Sequence, residues 1–395
     1  MSNETVRLKF LCHLVYGDAL PKGKDMAGNV PVFGSNGQYT TTAMSNTEAP
    51  AIIIGRKGSY GKVNWAPVEA FASDTTFFID DRFTNANLRW LYWVIQTLGI
   101  DEGSQEAAVP GLSRGWVYEQ KIILPDSEGQ SHIADYLDRE TTRIDELIAE
   151  KERMLALLEE RRVALISQAV TRGLNPDIPL KPSGLDWLED IPEYWSIIRI
   201  KYGFRTIGSG TTPPTNRNEF YEGNIPWVTT SELRENLINS TEKQISGEAL
   251  KEFTTLKIYP KGSVLFAMYG ATIGRVAILD VAATVNQAVC VLTDADFFNE
   301  WYAFYALRMM RDILVSKAIG GGQPNLNTEK VFEHKLPCPP IDEQLVISAF
   351  LRKEITRSEA LSTEIVKSVN TLKERRCALI TAAVTGRIPV EDMAT

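Results

Sequence analysis

The side chains best able to do chemistry in this chain are polar and stand in glycine-punctuated strings. Gly34-Ser35-Asn36-Gly37-Gln38-Tyr39-Thr40 and Gly55-Arg56-Lys57-Gly58-Ser59-Tyr60 fall early; Thr215-Asn216-Arg217-Asn218, Trp227-Val228-Thr229-Thr230-Ser231 and Met268-Tyr269-Gly270-Ala271-Thr272 fall later. Their side chains are of the kinds that read base edges: Arg and Lys pair with guanine, Asn and Gln with adenine, Ser and Thr with either. The candidates are Ser35, Asn36, Gln38, Tyr39, Arg56, Lys57, Ser59, Tyr60, Asn216, Arg217, Thr229, Thr230, Ser231, Tyr269 and Thr272. Polar glycine loops are ordinarily plain turns, so these strings gain weight only from the frame that holds them.

Catalytic patterns do not stand out beside them. No Walker GxxxxGK[ST] occurs, and Gly208-Ser209-Gly210 runs on into Thr211-Thr212-Pro213-Pro214, failing the GxGxxG pattern at its last glycine. Pro337-Cys338-Pro339-Pro340 does not supply the Asp/Asn-Pro-Pro-aromatic loop of an amino-methyltransferase. His13, His132 and His334 are scattered, Cys12, Cys290, Cys338 and Cys377 share no CxxC spacing, and no PD…(D/E)xK arrangement stands out. No catalytic or metal-ligating residue is expected.

The elements that must position the loops occur twice. Glu160-Arg161-Arg162-Val163-Ala164-Leu165-Ile166 returns 214 positions later as Glu374-Arg375-Arg376-Cys377-Ala378-Leu379-Ile380, and Ala169-Val170-Thr171 returns as Ala383-Val384-Thr385. So long a period excludes a solenoid and describes a tandem pseudo-dimer. Both repeats sit in runs free of Pro and Gly, residues 130–172 and 343–385, closed by Gly173 and Gly386 at C′ positions. Apolar residues recur at heptad-like spacing (Ile133, Leu137, Ile144, Leu147, Met154, Leu158, Leu165; Ile347, Leu351, Leu361, Ile365, Leu372, Leu379), predicting two long helices in an antiparallel coiled coil. Four seam positions are charged, and an antiparallel pairing sets Glu140 against Arg375 and Arg161 against Glu354. Such pairs fix register more than they add stability.

Short β-rich runs precede each helix, at Ala51–Ile54 and Thr76–Ile79, then at Ser263–Phe266 and Ala288–Leu292; aromatic helical stretches follow at Leu88–Trp93 and Trp301–Tyr305. Matching order ties the halves together. Arg7-Leu8-Lys9-Phe10 answers Arg199-Ile200-Lys201-Tyr202, Gly58–Val63 answers Gly270–Val276, and Pro110-Gly111-Leu112 answers Pro324-Asn325-Leu326. Between the copies, Leu174–Ile197 is proline-dense and reads as an extended connector pinned by Trp187, Tyr194 and Trp195.

The expected fold class is α+β, with two pseudo-symmetric globular α/β domains joined by the helices. The boundaries are 1–124, 125–173 for the first helix, 174–198 for the connector, 199–337, 338–386 for the second helix, and 387–395 as a tail. A net charge of −8 is awkward for a lone nucleic-acid binder, because Lys and Arg neutralising phosphates supply most non-specific affinity. No apolar stretch approaches the roughly 18 residues a bilayer needs, and the N-terminus lacks a signal-peptide pattern, so a soluble cytoplasmic protein with no membrane partner is expected.

Several strings resemble the DNA specificity subunits of Type I restriction-modification systems: IIIGRKGSYGKV at Ile52–Val63, Gly320–Leu326, Leu336-Pro337 with Pro340-Ile341-Asp342-Glu343-Gln344, the ERRxALI helix ends, and Lys181–Leu188. The resemblance spans nearly the whole chain. It implies two target recognition domains, each reading half of a split sequence in double-stranded DNA. It implies helices that act as a ruler and dock two methyltransferase subunits carrying S-adenosylmethionine, with ATP- and Mg2+-dependent restriction (translocase/endonuclease) subunits joining. The contrasting reading is a coiled-coil scaffold whose halves bind protein or RNA. Leu124-Pro125-Asp126-Ser127-Glu128-Gly129-Gln130 lacks the double proline and Glu-Gln of the second helix start, and no Trp-rich lead precedes the first unit, so docking is expected to be asymmetric.

A 43-residue helix is about 65 Å long, enough to hold half-sites about 50 Å, or about 15 base pairs, apart. Inserting four residues, about one turn, into the first helix should lengthen the recognised spacer and leave both half-sites unchanged. Sequencing of methylated sites checks this, and altered half-sites would count against it.

Overall fold

A computed structural model of the chain describes residues 4–20, 27–100, 111–316 and 333–393. Two compact units divide it, Met1–Arg153 with Ile365–Thr395 and Met154–Glu364. The cut passes through both long helices, so each unit owns one end of either helix.

In the first unit the strands are β1 (Glu4–Arg7), β2 (Val15–Tyr16), β3 (Val30–Gly34), β4 (Gly37–Thr42), β5 (Ala51–Gly55), β6 (Val63–Ala66), β7 (Phe71–Ala72), β8 (Thr76–Asp80) and β9 (Lys121–Leu124). The helices are α1 (Leu88–Gln96), α2 (Arg114–Tyr118) and the start of α3 (Ser127–Arg172). One sheet has order β2-β8-β5-β6, a second has order β4-β3-β7, and β1 pairs with β9. Both β5 and β8 are wholly buried because side chains alternate between two covered faces. Ile52, Ile54, Phe77 and Ile79 join the core that α1 covers, while Ile53 and Phe78 pack with Phe33 of the second sheet.

The second unit holds β10 (Leu180–Leu185), β11 (Leu188–Pro192), β12 (Ser196–Arg199), α4 (Ile200–Gly203), β13 (Phe204–Gly208), β14 (Ile225–Val228), β15 (Asn236–Ile238), β16 (Gln244–Ile245), α5 (Gly247–Glu252), β17 (Val264–Ala267), β18 (Val276–Leu279), β19 (Thr284–Val285) and β20 (Val289–Ala295). After these come α6 (Glu300–Met309), α7 (Arg311–Ser316), β21 (Lys335–Cys338) and α8 (Ile341–Val384). The sheet β13-β20-β17-β18 repeats β2-β8-β5-β6, with β15 added in parallel beside β18. Likewise β16-β14-β19 repeats β4-β3-β7 down to one antiparallel and one parallel pairing, and β12 pairs with β21 as β1 does with β9. The connector is not simply extended: β10 and β11 form a hairpin, and Trp195 is buried with its Nε1 donating to Glu343 at 3.0 Å.

Each core is closed by helix ends from both copies. In the first unit Ile133, Ala134 and Leu137 of α3 pack with Ile380, Ala383 and Val384 of α8. In the second the residues 214 positions away do so: Ile347 and Leu351 from the start of α8, Ile166, Ala169 and Val170 from the end of α3. The polar joints repeat as well. Asn87 N donates to Gln130 Oε1 at 2.8 Å and Asn299 N to Gln344 Oε1 at 2.8 Å, while each glutamine donates to the carbonyl of Pro125 or Pro339. The first helix start therefore does have the counterpart of Gln344, a correction to the expectation; the second proline and the glutamate are absent as expected, Asp126 standing for Pro340 and Gly129 for Glu343. Gly173 and Gly386 end the helices with φ of 75° and 68°.

The expected seam needs correction too. Within the first unit Arg376 makes a two-pronged pair with Asp145 at 2.9 and 3.1 Å, and Lys373 reaches Glu152. Within the second, Arg162 reaches Glu359 at 3.6 Å. Arg376 and Asp145 lie 214 positions from Arg162 and Glu359, so these pairs are the pseudo-symmetric ones. In both units the helices run in opposite directions, but the register is displaced by almost one heptad. Among the described residues no ion pair joins Glu140 to Arg375 or Arg161 to Glu354; Glu140 lies 3.7 Å from Arg139. Apolar side chains stand at neighbouring positions along the rod, leaving two possible seams, and the buried one uses Ile148 rather than Leu147, which is 40% exposed.

Arg376→Glu should lower the stability of the first unit by about 0.5–1 kcal/mol, the worth of a half-exposed pair, and adding Asp145→Arg should restore it. Arg375→Glu should cost little. Urea midpoints decide, and greater damage from Arg375→Glu would return the seam to the sequence-derived register.

Candidate nucleic-acid interface

In the first unit the polar strings converge. Ser35 and Asn36 form the β3–β4 turn, and Ser35 Oγ donates to the carbonyls of Lys57 and, at 3.1 Å, Thr75. Lys62 Nζ donates to Asn36 O at 2.7 Å and Asn36 Oδ1 at 3.1 Å. Gly55 is required here: a Cβ would lie 2.5 Å from Ser59 O and 2.7 Å from Ser35 O. Leu112 N donates to Arg56 O at 2.8 Å, and Lys57 bridges to Gly111, which carries the start of α2 onto the same loop.

Not every candidate remains available to a ligand. Arg56 is half-buried, donates from Nη2 to Asp74 O at 2.6 Å and lies 5.0 Å from the Tyr16 ring. Tyr60 packs on the core. Asn36, Gln38, Tyr39, Lys57 and Ser59 are exposed. Two residues with no signal in the strings belong with them. Tyr16, 46% exposed, is flanked by Arg56 and by the Arg114 guanidinium at 4.8 Å, and its underside tilts against Phe77. Arg114 follows the N-cap Ser113, and no ion pair holds it among the described residues. An arginine oriented on an aromatic ring with its donors free is suited to a bidentate contact.

The second unit is differently charged. Arg217 is paired by Glu219 at 2.7 Å and Glu252 at 2.9 Å, and it lies 4.0 Å from the Phe220 ring, which ties it to the α5 side; Asn216 beside it is exposed. Thr229 caps a short turn: its N–H donates to Glu232 at 2.8 Å, and its hydroxyl is 2.8 Å from Ser231. Thr230 is half-buried in that turn. Asn286 N donates to Val228 O and Met268 N to Ala288 O, bringing Thr229, Tyr269 and Thr272 to one end of the sheets. Gly208-Ser209-Gly210, which fails as a dinucleotide loop, lies against Gln287 there through Ser209 (3.2 Å) and Thr212 (2.6 Å). The first unit thus presents cations and an aromatic, the second mainly amides, hydroxyls and the Tyr269 ring, with Arg234 tied back to Ser231 O at 3.1 Å. Pro110, Pro324-Asn325-Leu326 and the Gly320–Leu326 string lie outside the described residues.

No group of three His, Cys, Asp or Glu that could hold a metal occurs among the described residues, nor is any helix there long and apolar enough to cross a membrane. The family model of the Type I restriction modification DNA specificity domain matches residues 2–155 and 192–371. The Type I restriction enzyme EcoR124I/EcoR124II specificity subunit of Escherichia coli is 27% identical over 300 residues, 71% of this chain and 67% of that one. The MjaIX specificity subunit of Methanocaldococcus jannaschii is 30% identical over 186 residues, 45% of this chain and 42% of that one. Among solved structures, a chain of a type I R-M system studied for complex assembly and conformational transition superposes with TM-score 0.73 at 17% identity, covering 98% of both. The HsdS subunit from Thermoanaerobacter tengcongensis gives TM-score 0.54 at 16% identity, covering 98% of this chain and 97% of that one. At such identities these two speak for the fold.

Arg114→Ala should relax one base position of the sequence the chain selects from random duplexes, by about 1–3 kcal/mol of discrimination, while Arg217→Ala should leave selection unchanged. An unaltered sequence from Arg114→Ala would make that arginine structural.

Proposed function

The chain belongs to the Type I restriction modification DNA specificity family, and from that membership we propose that it is the subunit that recognises a bipartite DNA target for a Type I restriction-modification complex. It does no chemistry itself. Residues 1–124 and 199–337 act as two target recognition domains on double-stranded DNA, and α3 and α8 form one antiparallel coiled coil. Two methyltransferase subunits bring S-adenosylmethionine, restriction subunits bring ATP and Mg2+ chemistry, and the complex works in the cytoplasm.

One observation carries the reading: the family model matches twice, once per copy of a duplicated topology whose exposed loops differ in charge. A shared frame with unlike loops is what reading two different half-sites requires. Base contacts specify, whereas phosphate contacts only position. The opposed helix directions within each unit support the coiled coil. Buried Cys12, Cys290 and Cys338, all free thiols, suit a reducing compartment.

Co-expressing the chain with its methyltransferase partner and mapping N6-methyladenine should reveal a split site. Replacing residues 199–337 by the corresponding segment of a relative should change one half-site and keep the other and the spacer. Change in both halves, or methylation that does not depend on this chain, would sink the proposal.

A further inference from the structure

We infer that the exposed rings of Phe10 and Tyr202 are twin anchors, each inserting into an apolar pocket on one of two copies of the methyltransferase subunit; the inference rests on the specificity-subunit reading. In the first unit Leu8 is fully buried and its N–H donates to Gln120 O at 3.0 Å. On either side of it Arg7 and Lys9 converge on Glu119, at 3.2 and 2.9 Å, and the ring of Phe10, 74% exposed, lies 5.4 Å from Lys9 Nζ. The second unit repeats every part. Ile200 is fully buried and donates to His334 O at 2.9 Å. Arg199 and Lys201 converge on Glu333, at 3.3 and 2.5 Å, and Tyr202, 57% exposed, lies 5.0 Å from Lys201 Nζ. Glu333 stands 214 positions after Glu119. In both corners the lysine hydrogen bond holds the carboxyl below its ordinary range.

The fold needs the buried residue and the ion clamp, but not the ring. Scattered surface aromatics need no explanation; the same ring on the same clamp in both copies, where the candidate reading loops have diverged, points to something both units meet alike. Bases are excluded, since the two loop sets differ. The phosphate backbone is common to both half-sites, but a carboxylate already offsets one of the two cations in each corner, and the Phe10 ring, standing where Tyr202 stands, has no donor to offer a phosphate. What remains is a protein pocket, apolar to take the ring and rimmed by a carboxylate to meet the one uncompensated cation. Such a pocket must be offered twice, as two copies of one subunit would.

Native mass spectrometry with purified methyltransferase subunit tests this. The unaltered chain should bind two copies. Phe10→Ala and Tyr202→Ala should each weaken one binding step at least tenfold and leave the other as it was, and the double variant should lose both. Phe10→Tyr and Tyr202→Phe should keep two copies. Because both rings are exposed, the alanine variants should give the circular dichroism spectrum of the unaltered chain. A double variant that binds two copies with unchanged affinity overturns the inference. So does one that keeps two copies and loses DNA affinity in a gel shift, which would assign the rings to DNA. An unaltered chain that binds no methyltransferase subunit overturns the specificity-subunit reading itself.

Discussion

Neither globular core can close with its own copy of the repeat. The first unit buries Ile380, Ala383 and Val384 from the last turns of the second helix, and the second unit buries Ile166, Ala169 and Val170 from the last turns of the first. Removing such side chains from water is the main force available to the fold, so each half folds only when the other copy has delivered its helix. In the first unit these contacts join α8 to residues of the first copy more than two hundred positions away, so loop closure must precede their stabilisation. Small residues at 169 and 383 let the helix backbones come close to the cores.

The same geometry explains what could be read from the sequence. Long helices, their glycine ends and the duplication follow from local signals: absence of Pro and Gly, apolar periodicity and literal repetition. Strand positions followed from short apolar runs to within three residues at either end, the largest error being at Ala295, where β20 outruns its apolar run; Ser263 drops out of β17, its hydroxyl donating to Pro260 O. Register did not follow, because Leu147 and Ile148 are both apolar and only packing decides which faces inward. Loop chemistry was legible as residue type but not as availability. Arg217 and Arg56 look alike in sequence; one is neutralised by two carboxylates and the other is held by a backbone carbonyl. Arg114 could not be found from any string, since it is the Lys57–Gly111 bridge and the Leu112 N–H to Arg56 O bond that carry it to the loops.

Where the copies differ, the differences are coupled. Glu343 accepts hydrogen bonds from Tyr194 and Trp195 of the connector that follows α3, and its counterpart Gly129 has no side chain to do so. There the chain after α8 takes the place of the connector: Val390 approaches Gly129, a Cβ on which would lie 3.9 Å from it, and Met393 enters the core. The loss of the carboxylate and the change of covering segment are therefore one substitution in two parts. The outer side of the helix start changes with them, from exposed Ser127 and half-buried Ser131 and His132 on α3 to exposed Ile341, Leu345 and Val346 on α8. Two surfaces built on one plan thus differ in polarity.

The acidic charge then falls into place. Many of the cations are already paired within the chain, on the rods by Asp145, Glu152 and Glu359 and at the corners by Glu119 and Glu333. Affinity from phosphate neutralisation scales with the number of uncommitted cations, and among the candidate loops they reduce to a few side chains such as Lys57 and Arg114. Loops with so few free cations discriminate between sequences better than they hold DNA. Discrimination needs only a few preorganised donors, such as a guanidinium laid on Tyr16, whereas holding needs many.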